Sequence, residues 1–360
     1  MKIAHVVDSM EVGGAETLVA QLCRLQRQQG HDPSVYAILA PGPLGEQLQE
    51  EGFTVRAYVG RHLTDSMSKF YRIFKELKPD AVHLHNPTPT VYAAMAARVA
   101  GATSIVSTRH SLVAPPRRAL VELKYCVAAC FCDWVVGICD ATAENIREIH
   151  SVPARKITRI YNGALPMLRA AKEKWPPKAG FTLVYVGRLE PVKNHALLLK
   201  SFHMAFSSRP DLRLWMVGDG SARERLESLA AELGVTSQVT FWGQQLDVAP
   251  FFSAADAFIM SSKSEGLPIS LLQAFSLGLP AIVTDVGGMA EAVRLAQAGI
   301  VVQADDPAEM TAAILKLAAN DAERAQYSAH AEAGFRSRFT LQAMADAYMD
   351  LYRNTPRARR

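Results

Sequence analysis

A turn in the second half of the chain combines a carboxylate with backbone amides that can bind an anion. Glu265, Gly266 and Leu267 follow an apolar run at 257–260 and precede a helical pattern. The N-terminus of a helix offers free N–H groups and a positive dipole end, which together favour a phosphate. Gln273 falls on the side of that helix that can face back toward the turn. The spacing predicts a phosphate-binding turn with one acid beside it. Taken alone, Glu265 could equally be an N-terminal helix carboxylate.

Two cations follow a second turn of the same kind. Gly187 ends the apolar run at 182–186, and Arg188 and Lys193 stand five positions apart just after it. Arginine binds phosphate oxygens through its bidentate fork and lysine binds them as a point charge. The pair indicates a diphosphate site, and the alternative is two solvated surface cations. Gly218 repeats the strand-then-glycine layout and can border the same site.

A glycine pair follows the first apolar run of the chain. Gly13 and Gly14 open a helical pattern, where small residues let the backbone approach a ligand and the helix N-terminus favours an anion. The third glycine of a dinucleotide-binding fingerprint is missing, and so is the Gly-Lys-Ser/Thr of a P-loop. A purely structural turn is the other interpretation of this pair.

Short apolar runs alternate with amphipathic helical patterns along almost the whole chain, and such runs are typical of buried parallel strands. Strand–helix alternation predicts parallel sheets covered on both faces, which bind ligands beyond the carboxyl ends of their strands. In the first half the runs are 3–7, 34–39, 54–59, 81–85, 104–107, 134–138 and 156–160, and in the second half they are 182–186, 213–217, 239–242, 257–260, 281–284 and 300–302.

Two series of strands predict an α/β protein with two doubly wound domains. We place an N-terminal domain at 1–165 and a C-terminal domain at 181–338. Residues 166–180 contain a Pro-Pro pair and no strand pattern, as an interdomain linker does. A final helix and a basic tail occupy 339–360.

Composition bounds the class of protein. The 360 residues are 49% hydrophobic and 21% charged, as in an ordinary globular enzyme. The formal charge of +4 suits an anionic small ligand or an anionic membrane surface and does not call for nucleic acid.

Five cysteines, an odd number, indicate a reducing compartment. No signal peptide is visible and no run reaches the ~18 apolar residues that span a bilayer. We therefore expect a cytoplasmic protein, either free or peripheral at the inner face of the membrane.

Taken in order, these motifs resemble those of glycosyltransferase family 4, the retaining enzymes of group 1 with the GT-B fold. The resemblance covers nearly the whole chain and implies two Rossmann-like domains that face each other across a cleft, with the C-terminal helix returning to the N-terminal domain. The segments that carry it are 13–16, 187–189 with 193–194, 217–220 and 265–268.

The resemblance implies a role for each residue of the second half. Arg188 and Lys193 match the basic pair on the donor diphosphate. Glu265 matches the first acid of the family's E-x7-E element, which contacts the donor sugar, and Gly266 and Leu267 supply backbone donors to the phosphates.

The resemblance also implies roles for residues of the first half, and the sequence differs from the family at two places. Gly13 and Gly14 match the loop that faces the donor, and His110 matches a histidine near the reacting sugar. The second acid of E-x7-E, which normally binds the nucleotide ribose, is Gln273 here. Glutamine still accepts a hydrogen bond but lacks the charge, so we expect weaker donor binding with the chemistry retained. Another departure follows Asn162-Gly163, where Ala164-Leu165 stands in place of the usual acid.

The implied activity is transfer of a sugar from a nucleotide-diphosphate sugar to a hydroxyl of a glycan, lipid-linked or small-molecule acceptor, with retention of configuration, as in polysaccharide biosynthesis. Arg188, Lys193 and a helix N-terminus can stabilise the leaving diphosphate, so no metal and no cofactor are expected. His83 and His85 share one face of a strand and could resemble a metal pair, but no carboxylates accompany them. Gln273 leaves open a nucleotide-sugar-binding protein without catalysis, and a GT-B sugar-nucleotide epimerase is another alternative.

Basic residues of the first half could touch anionic lipid or a polyprenyl-phosphate acceptor near the apolar stretch at 128–132. The alternative is ordinary solvated helix faces. The residues concerned are Arg109, Arg117, Arg118 and Lys124, together with the basic and aromatic segment 69–75.

Overall fold

A computed structural model describes residues 1–58, 63–112, 119–149 and 152–355. The chain forms two compact units. The first contains Met1–Gly163 and Leu341–Arg360, and the second contains Ala164–Thr340. Among the described residues, no helix combines the length and the apolar composition that crossing a membrane requires.

The first unit is built on a parallel sheet of seven strands in the order β3-β2-β1-β4-β5-β6-β7. This confirms the predicted parallel sheet with helical connections. The strands are β1 (Lys2–Val7), β2 (Asp32–Ala37), β3 (Thr54–Ala57), β4 (Ala81–His85), β5 (Ser104–Arg109), β6 (Trp134–Gly137) and β7 (Ile157–Arg159), and the helices between them are α1 (Gly14–Gln28), α2 (Gly42–Glu50), α3 (Leu63–Leu77), α4 (Pro87–Ala100), α5 (Ala119–Ala129) and α6 (Asp140–Glu148).

Helices cover both faces of this sheet, which is why its central strands read as continuous apolar runs. Leu84 and Ile105 pack with Phe70 and Phe74 of α3 in one fully buried cluster. Another cluster, around Val35, contains residues of α1 and β3. Complete burial of each such side chain contributes roughly 1.5–3 kcal/mol.

The second unit has a parallel sheet of six strands in the order β10-β9-β8-β11-β12-β13. The strands are β8 (Thr182–Val186), β9 (Arg213–Val217), β10 (Val239–Gly243), β11 (Ala257–Met260), β12 (Ala281–Thr284) and β13 (Gly299–Val302), and the helices are α7 (His195–Ser208), α8 (Arg223–Glu232), α9 (Ala249–Ala254), α10 (Ile269–Ser276), α11 (Gly287–Ala296), α12 (Pro307–Ala319) and α13 (Asp321–Arg338).

The segment that we predict as a linker bonds to the second unit. The Met167 amide donates to Ser276 Oγ at 3.1 Å, and the Ala170 amide donates to Ser253 Oγ at 2.9 Å. Arg169 also donates to the Leu277 carbonyl at 2.9 Å. These bonds hold the segment along α9 and α10.

The last helix, α14 (Leu341–Arg353), belongs to the first unit, as the expected return of the C-terminal helix requires. Its Tyr348 and Tyr352 are buried, and their hydroxyls bond to Thr108 and His83 of the central strands. The helix therefore closes the core beside β4 and β5.

Each sheet reverses its strand order at one place, between β1 and β4 in the first unit and between β8 and β11 in the second. Open α/β sheets bind ligands beyond the carboxyl ends of the strands at such a switch point. Asp8 and Asn86 follow the strands at the first point, and Gly187 and Ser261 follow those at the second. The motif residues of the sequence lie at these two edges.

Candidate active site

An ion pair stands at the switch point of the second unit. Lys193 Nζ contacts Glu265 Oε1, and Ser262 Oγ donates to the same oxygen at 2.9 Å. The lysine and glutamate side chains are only 17% and 11% exposed. The carboxylate is therefore fixed by a cation and a hydroxyl, and solvent has little access to the pair.

The backbone around the pair is tied together across the switch point. Ser261 Oγ donates to the carbonyls of Lys193 and Asn194 at 3.0 and 3.1 Å, and the Lys263 amide donates to the Val192 carbonyl at 2.9 Å. These bonds join the turn after β8 to the turn after β11. The position of the ion pair is thus set by the main chain of two neighbouring strands.

Tyr185 is a site residue that sequence reasoning missed. It is fully buried on β8, its hydroxyl donates to the Arg188 carbonyl at 2.9 Å, and its ring meets His195 edge-on at 4.4 Å. Burial raises the pKa of the Tyr185 phenol, the Glu265 charge raises it further, and the Arg188 charge opposes the rise. Both charged groups therefore lie close to the Tyr185 phenol.

Arg188 and Lys193, which the sequence pairs on one diphosphate, differ in their surroundings. The Arg188 side chain is exposed and makes no ion pair with any residue that the structure describes. Lys193 is half-buried and engaged with Glu265. Arg188 is accordingly the cation that is open to an incoming anion.

Gly218 has a structural reason to be glycine. Its φ is +139°, and a Cβ atom there would lie 1.9 Å from the Gly187 carbonyl oxygen. The Gly187 amide donates to the Val217 carbonyl at 3.0 Å, which holds the two turns against each other. The close contact of the turns after β8 and β9 shapes this edge of the sheet.

The turn with Gly266 and Leu267 leads directly into α10. Both residues are buried, and the helix begins after an extended Pro268 with no side-chain cap. The first amides of a helix have no partner within the helix, so this terminus can receive an anion. Gln273 lies on the second turn, is half-buried, and its side-chain amide makes no hydrogen bond with the described residues.

In the first unit, Gly13 and Gly14 start α1 at the other switch point. Gly13 is an extended N-cap that offers no side chain, and Gly14 is exposed. Burial raises the pKa of the nearby Asp8 carboxyl, a hydrogen bond with Thr88 lowers it, and the Glu16 charge raises it. A small recess lies beside this terminus, lined by Val7, Asp8, Ala15, Glu16, Val19, His85 and Asn86.

His110 directly follows β5 and is held by two groups. Its amide donates to Asn86 Oδ1 at 3.2 Å, and its Nε2 lies 3.1 Å from His85 Nδ1. Burial lowers the pKa of His110 to about 4, so the ring is neutral near pH 7.

Asn86 was missed by sequence reasoning. Its φ of +75° is rare for a residue with a side chain, costs about 1–3 kcal/mol and is more often found at functional sites.

Three buried histidines lie close enough to hold a metal ion, with one ring nitrogen of each within 4.8 Å of the others. They are His5, His83 and His85, and every ring nitrogen already has a hydrogen-bond partner in the protein. A metal ion would have to replace these bonds. The cluster is therefore organised as a hydrogen-bond network.

The basic residues proposed to touch lipid are not all at the surface. Arg109 is a correction: it is 5% exposed, pairs with Glu122 at 2.9 Å and lies 4.6 Å above the Tyr125 ring. The Glu122 carboxylate of α5 therefore neutralises the Arg109 charge inside the unit. Arg117 and Arg118 lie outside the described residues.

α5 instead exposes apolar side chains. Leu120, Leu123 and Val127 are 64%, 60% and 59% exposed, with Lys124 exposed among them. In the segment 69–75, the two phenylalanines are buried in the core, while the basic residues are exposed.

Two family models match the chain. The model described as glycosyl transferases group 1 matches residues 169–333, and the model described as glycosyltransferase family 4 matches residues 12–164. Between them they span most of both units.

Similar proteins are glycosyltransferases by name. The lipopolysaccharide core biosynthesis glycosyltransferase LpsD of Rhizobium meliloti (strain 1021) is 28% identical over 98% of each chain. The UDP-Gal:alpha-D-GlcNAc-diphosphoundecaprenol alpha-1,3-galactosyltransferase of Escherichia coli is 27% identical over 80% of each chain.

Solved structures share the fold. Anabaena Alr3699/HepE in complex with UDP has a TM-score of 0.85 at 18% identity and covers 97% of this chain and 99% of its own. The lipopolysaccharide outer core galactosyltransferase WaaB in its apo form has a TM-score of 0.76 at 18% identity and covers 98% of this chain and 99% of its own.

Proposed function

This chain belongs to the group 1, family 4 glycosyltransferases and has the GT-B fold, and from that premise we propose that it moves a sugar from a nucleotide-diphosphate donor to a hydroxyl of a glycan or lipid-linked acceptor with retention of configuration. The observation that carries the proposal is the Lys193–Glu265 pair beside the N-terminus of α10, together with the exposed Arg188, which makes no ion pair with the described residues.

The donor phosphates are the natural ligand of the exposed Arg188 and of the N-terminus of α10. When the bond between the anomeric carbon and the phosphate oxygen breaks, negative charge develops on that oxygen. The Arg188 guanidinium and the amides near Gly266 and Leu267 supply donors for this charge without a metal. We therefore infer a metal-free departure of the nucleoside diphosphate.

Glu265 is proposed to bind hydroxyls of the donor sugar. Lys193 and Ser262 hold one oxygen of the Glu265 carboxylate, so the carboxylate is a hydrogen-bond acceptor of fixed direction. Such an acceptor can bind the hydroxyl groups of a sugar ring. The acceptor hydroxyl then attacks the anomeric carbon from the face that the phosphate leaves, and its proton passes to the departing phosphate oxygen. A new C–O bond replaces the broken one, and the configuration is retained.

The acceptor is proposed to be a lipid-linked or lipopolysaccharide-type saccharide at a membrane surface. LpsD and the diphosphoundecaprenol galactosyltransferase are named for such substrates. The exposed Leu120, Leu123 and Val127 of α5, with Lys124 among them, form an apolar patch of the kind that enters the headgroup region. We infer peripheral contact with the cytoplasmic face of a membrane.

A binding protein without catalysis is a second candidate, favoured by one observation. Gln273 stands where the family's second acid binds the ribose, and its side chain has no hydrogen bond with the described residues. Such a protein would bind nucleotide sugars and release no nucleoside diphosphate in the presence of acceptor.

The deciding experiment begins with thermal shifts against a panel of nucleoside diphosphates and nucleotide sugars. A ligand that binds only the folded state adds about 2.7 kcal/mol at 100 times its dissociation constant. The best donor is then incubated with lipid-linked saccharides while nucleoside diphosphate release and the anomeric configuration of the product are followed. Donor binding without release of nucleoside diphosphate would support the second candidate. A product of inverted anomeric configuration would contradict the retaining mechanism. If no nucleotide or nucleotide sugar binds, both candidates are wrong.

A further inference from the structure

A chain of four side chains, three of them buried and the fourth, His110, half-buried, runs from α1 to the carboxyl end of β5. Gln26 Oε1 lies 2.8 Å from His5 Nε2, His5 Nδ1 lies 3.1 Å from His85 Nε2, and His85 Nδ1 lies 3.1 Å from His110 Nε2. Each link uses one nitrogen of a ring and passes to the next ring through the other. Among the ring nitrogens of His5, His85 and His110, only His110 Nδ1 has no hydrogen-bond partner in the part of the chain that the structure describes.

The links share a single direction because each ring is neutral. Burial lowers the pKa of His5 and His110 to about 4 and that of His85 well below its usual value. A neutral imidazole has one donor nitrogen and one acceptor nitrogen. A proton placed on His5 Nε2 therefore forces one onto His85 Nε2 and one onto His110 Nε2, and His110 Nδ1 keeps a lone pair.

The orientation of the Gln26 amide selects this direction. Its oxygen faces His5, so it accepts the His5 Nε2–H. Its Nε2 is buried and has no hydrogen-bond partner among the described residues.

We propose that Gln26, acting through His5 and His85, holds the His110 proton on Nε2, so that His110 Nδ1 accepts a hydrogen bond from a substrate hydroxyl. The second half of this statement rests on the proposed function, which brings a sugar to His110. Gln26, His5 and His85 are then positioning residues, because they act through His110 and not on the substrate.

The tautomer is measured directly by long-range ¹H–¹⁵N correlation spectra of protein labelled with ¹⁵N-histidine, with the His110 signals assigned by their loss in His110→Gln. We expect the Nε2–H form in the wild type and a shift toward the Nδ1–H form in Gln26→Leu. A wild-type His110 that carries its proton on Nδ1 overturns the proposal without any variant, and so does a tautomer that Gln26→Leu leaves unchanged.

His83→Gln is the matched control. His83 is buried on the same strand as His85, but its nitrogens bond to Tyr352 and Thr108, outside the chain to His110. We expect Gln26→Leu to lower kcat about tenfold with the donor KM changed less than about twofold, the loss of roughly one hydrogen bond. His83→Gln should keep kcat within about twofold at a similar loss of Tm.

The outcomes separate the two proposals. Equal losses of kcat in Gln26→Leu and His83→Gln would mean that the hydrogen bonds from Gln26 to His110 contribute to stability alone, which overturns the positioning role. If no donor is turned over by the wild type, the proposed function fails, while the spectra still decide the tautomer.

Discussion

Lys193 and Glu265 lie 72 positions apart in the sequence and form an ion pair whose shared oxygen also accepts a hydrogen bond from Ser262. The pair exists because β8 and β11 are neighbours in the sheet and the turns that follow them are bonded to each other. It makes Glu265 an acceptor of fixed position and leaves Arg188 as the exposed cation.

Replacing Glu265 with glutamine should lower kcat by about 10²-fold, because a neutral amide binds hydroxyls less strongly and leaves the half-buried Lys193 unpaired. Steady-state kinetics with the best donor measures the loss. The matched control is Glu323→Gln, which breaks the ion pair with Lys316 in the same unit. Similar losses in the two variants would contradict a role for Glu265 in the reaction.

Gln273→Glu should lower the donor KM about three- to tenfold with little change in kcat. A carboxylate makes charge-assisted hydrogen bonds, which are about twice as strong as neutral ones, and we propose that position 273 makes them to the ribose hydroxyls. Calorimetric titration with the nucleoside diphosphate alone should show the same gain. Weaker binding by the glutamate variant would mean that position 273 does not meet the ribose.

The sequence predicted every strand of both sheets, because buried parallel strands appear as short apolar runs between turn residues. Local pattern also placed Glu265 and Arg188 at strand ends. It could not pair Lys193 with Glu265, since that contact depends on which strands are adjacent. The histidine chain was hidden for the same reason: His83 and His85 share a face by alternation, but His5 joins them only through the register of β1 with β4.

Two other features escaped for different reasons. Tyr185 reads as an ordinary core residue, and only its contacts show that it lies beneath Arg188 and Glu265. Asn86 follows a strand and precedes a proline, where asparagine is common in turns. Its positive φ and its bond to His110 become visible only in the structure.

Gly218→Ala should lower the free energy of unfolding of the second unit by more than about 2 kcal/mol, because the new Cβ would lie 1.9 Å from the Gly187 carbonyl oxygen in a left-handed backbone region. Gly14→Ala is the contrasting variant, since no heavy atom lies within 4 Å of its Cβ position. Urea unfolding should show no loss for Gly14→Ala. Equal midpoints for the two variants would contradict the account.

The buried histidines should make the first unit sensitive to mild acid. The pKa values of His5 and His110 are lowered to about 4, and those of His83 and His85 lie well below 6.5. Between about pH 6.5 and pH 4, these histidines are therefore protonated in the unfolded chain but remain neutral in the folded chain. Stability is fully present above pH 6.5 and falls as the pH drops through this window, by about 1.4 kcal/mol per pH unit for each such histidine.

Urea midpoints at pH 7.5, 6.5 and 5.5 measure this dependence. We expect His85→Gln to be less stable than the wild type at pH 7.5 but to lose stability more slowly below pH 6.5, because one proton-binding group of the unfolded chain is gone. A wild-type midpoint that does not move between pH 7.5 and pH 5.5 would show that the buried rings do not control acid stability.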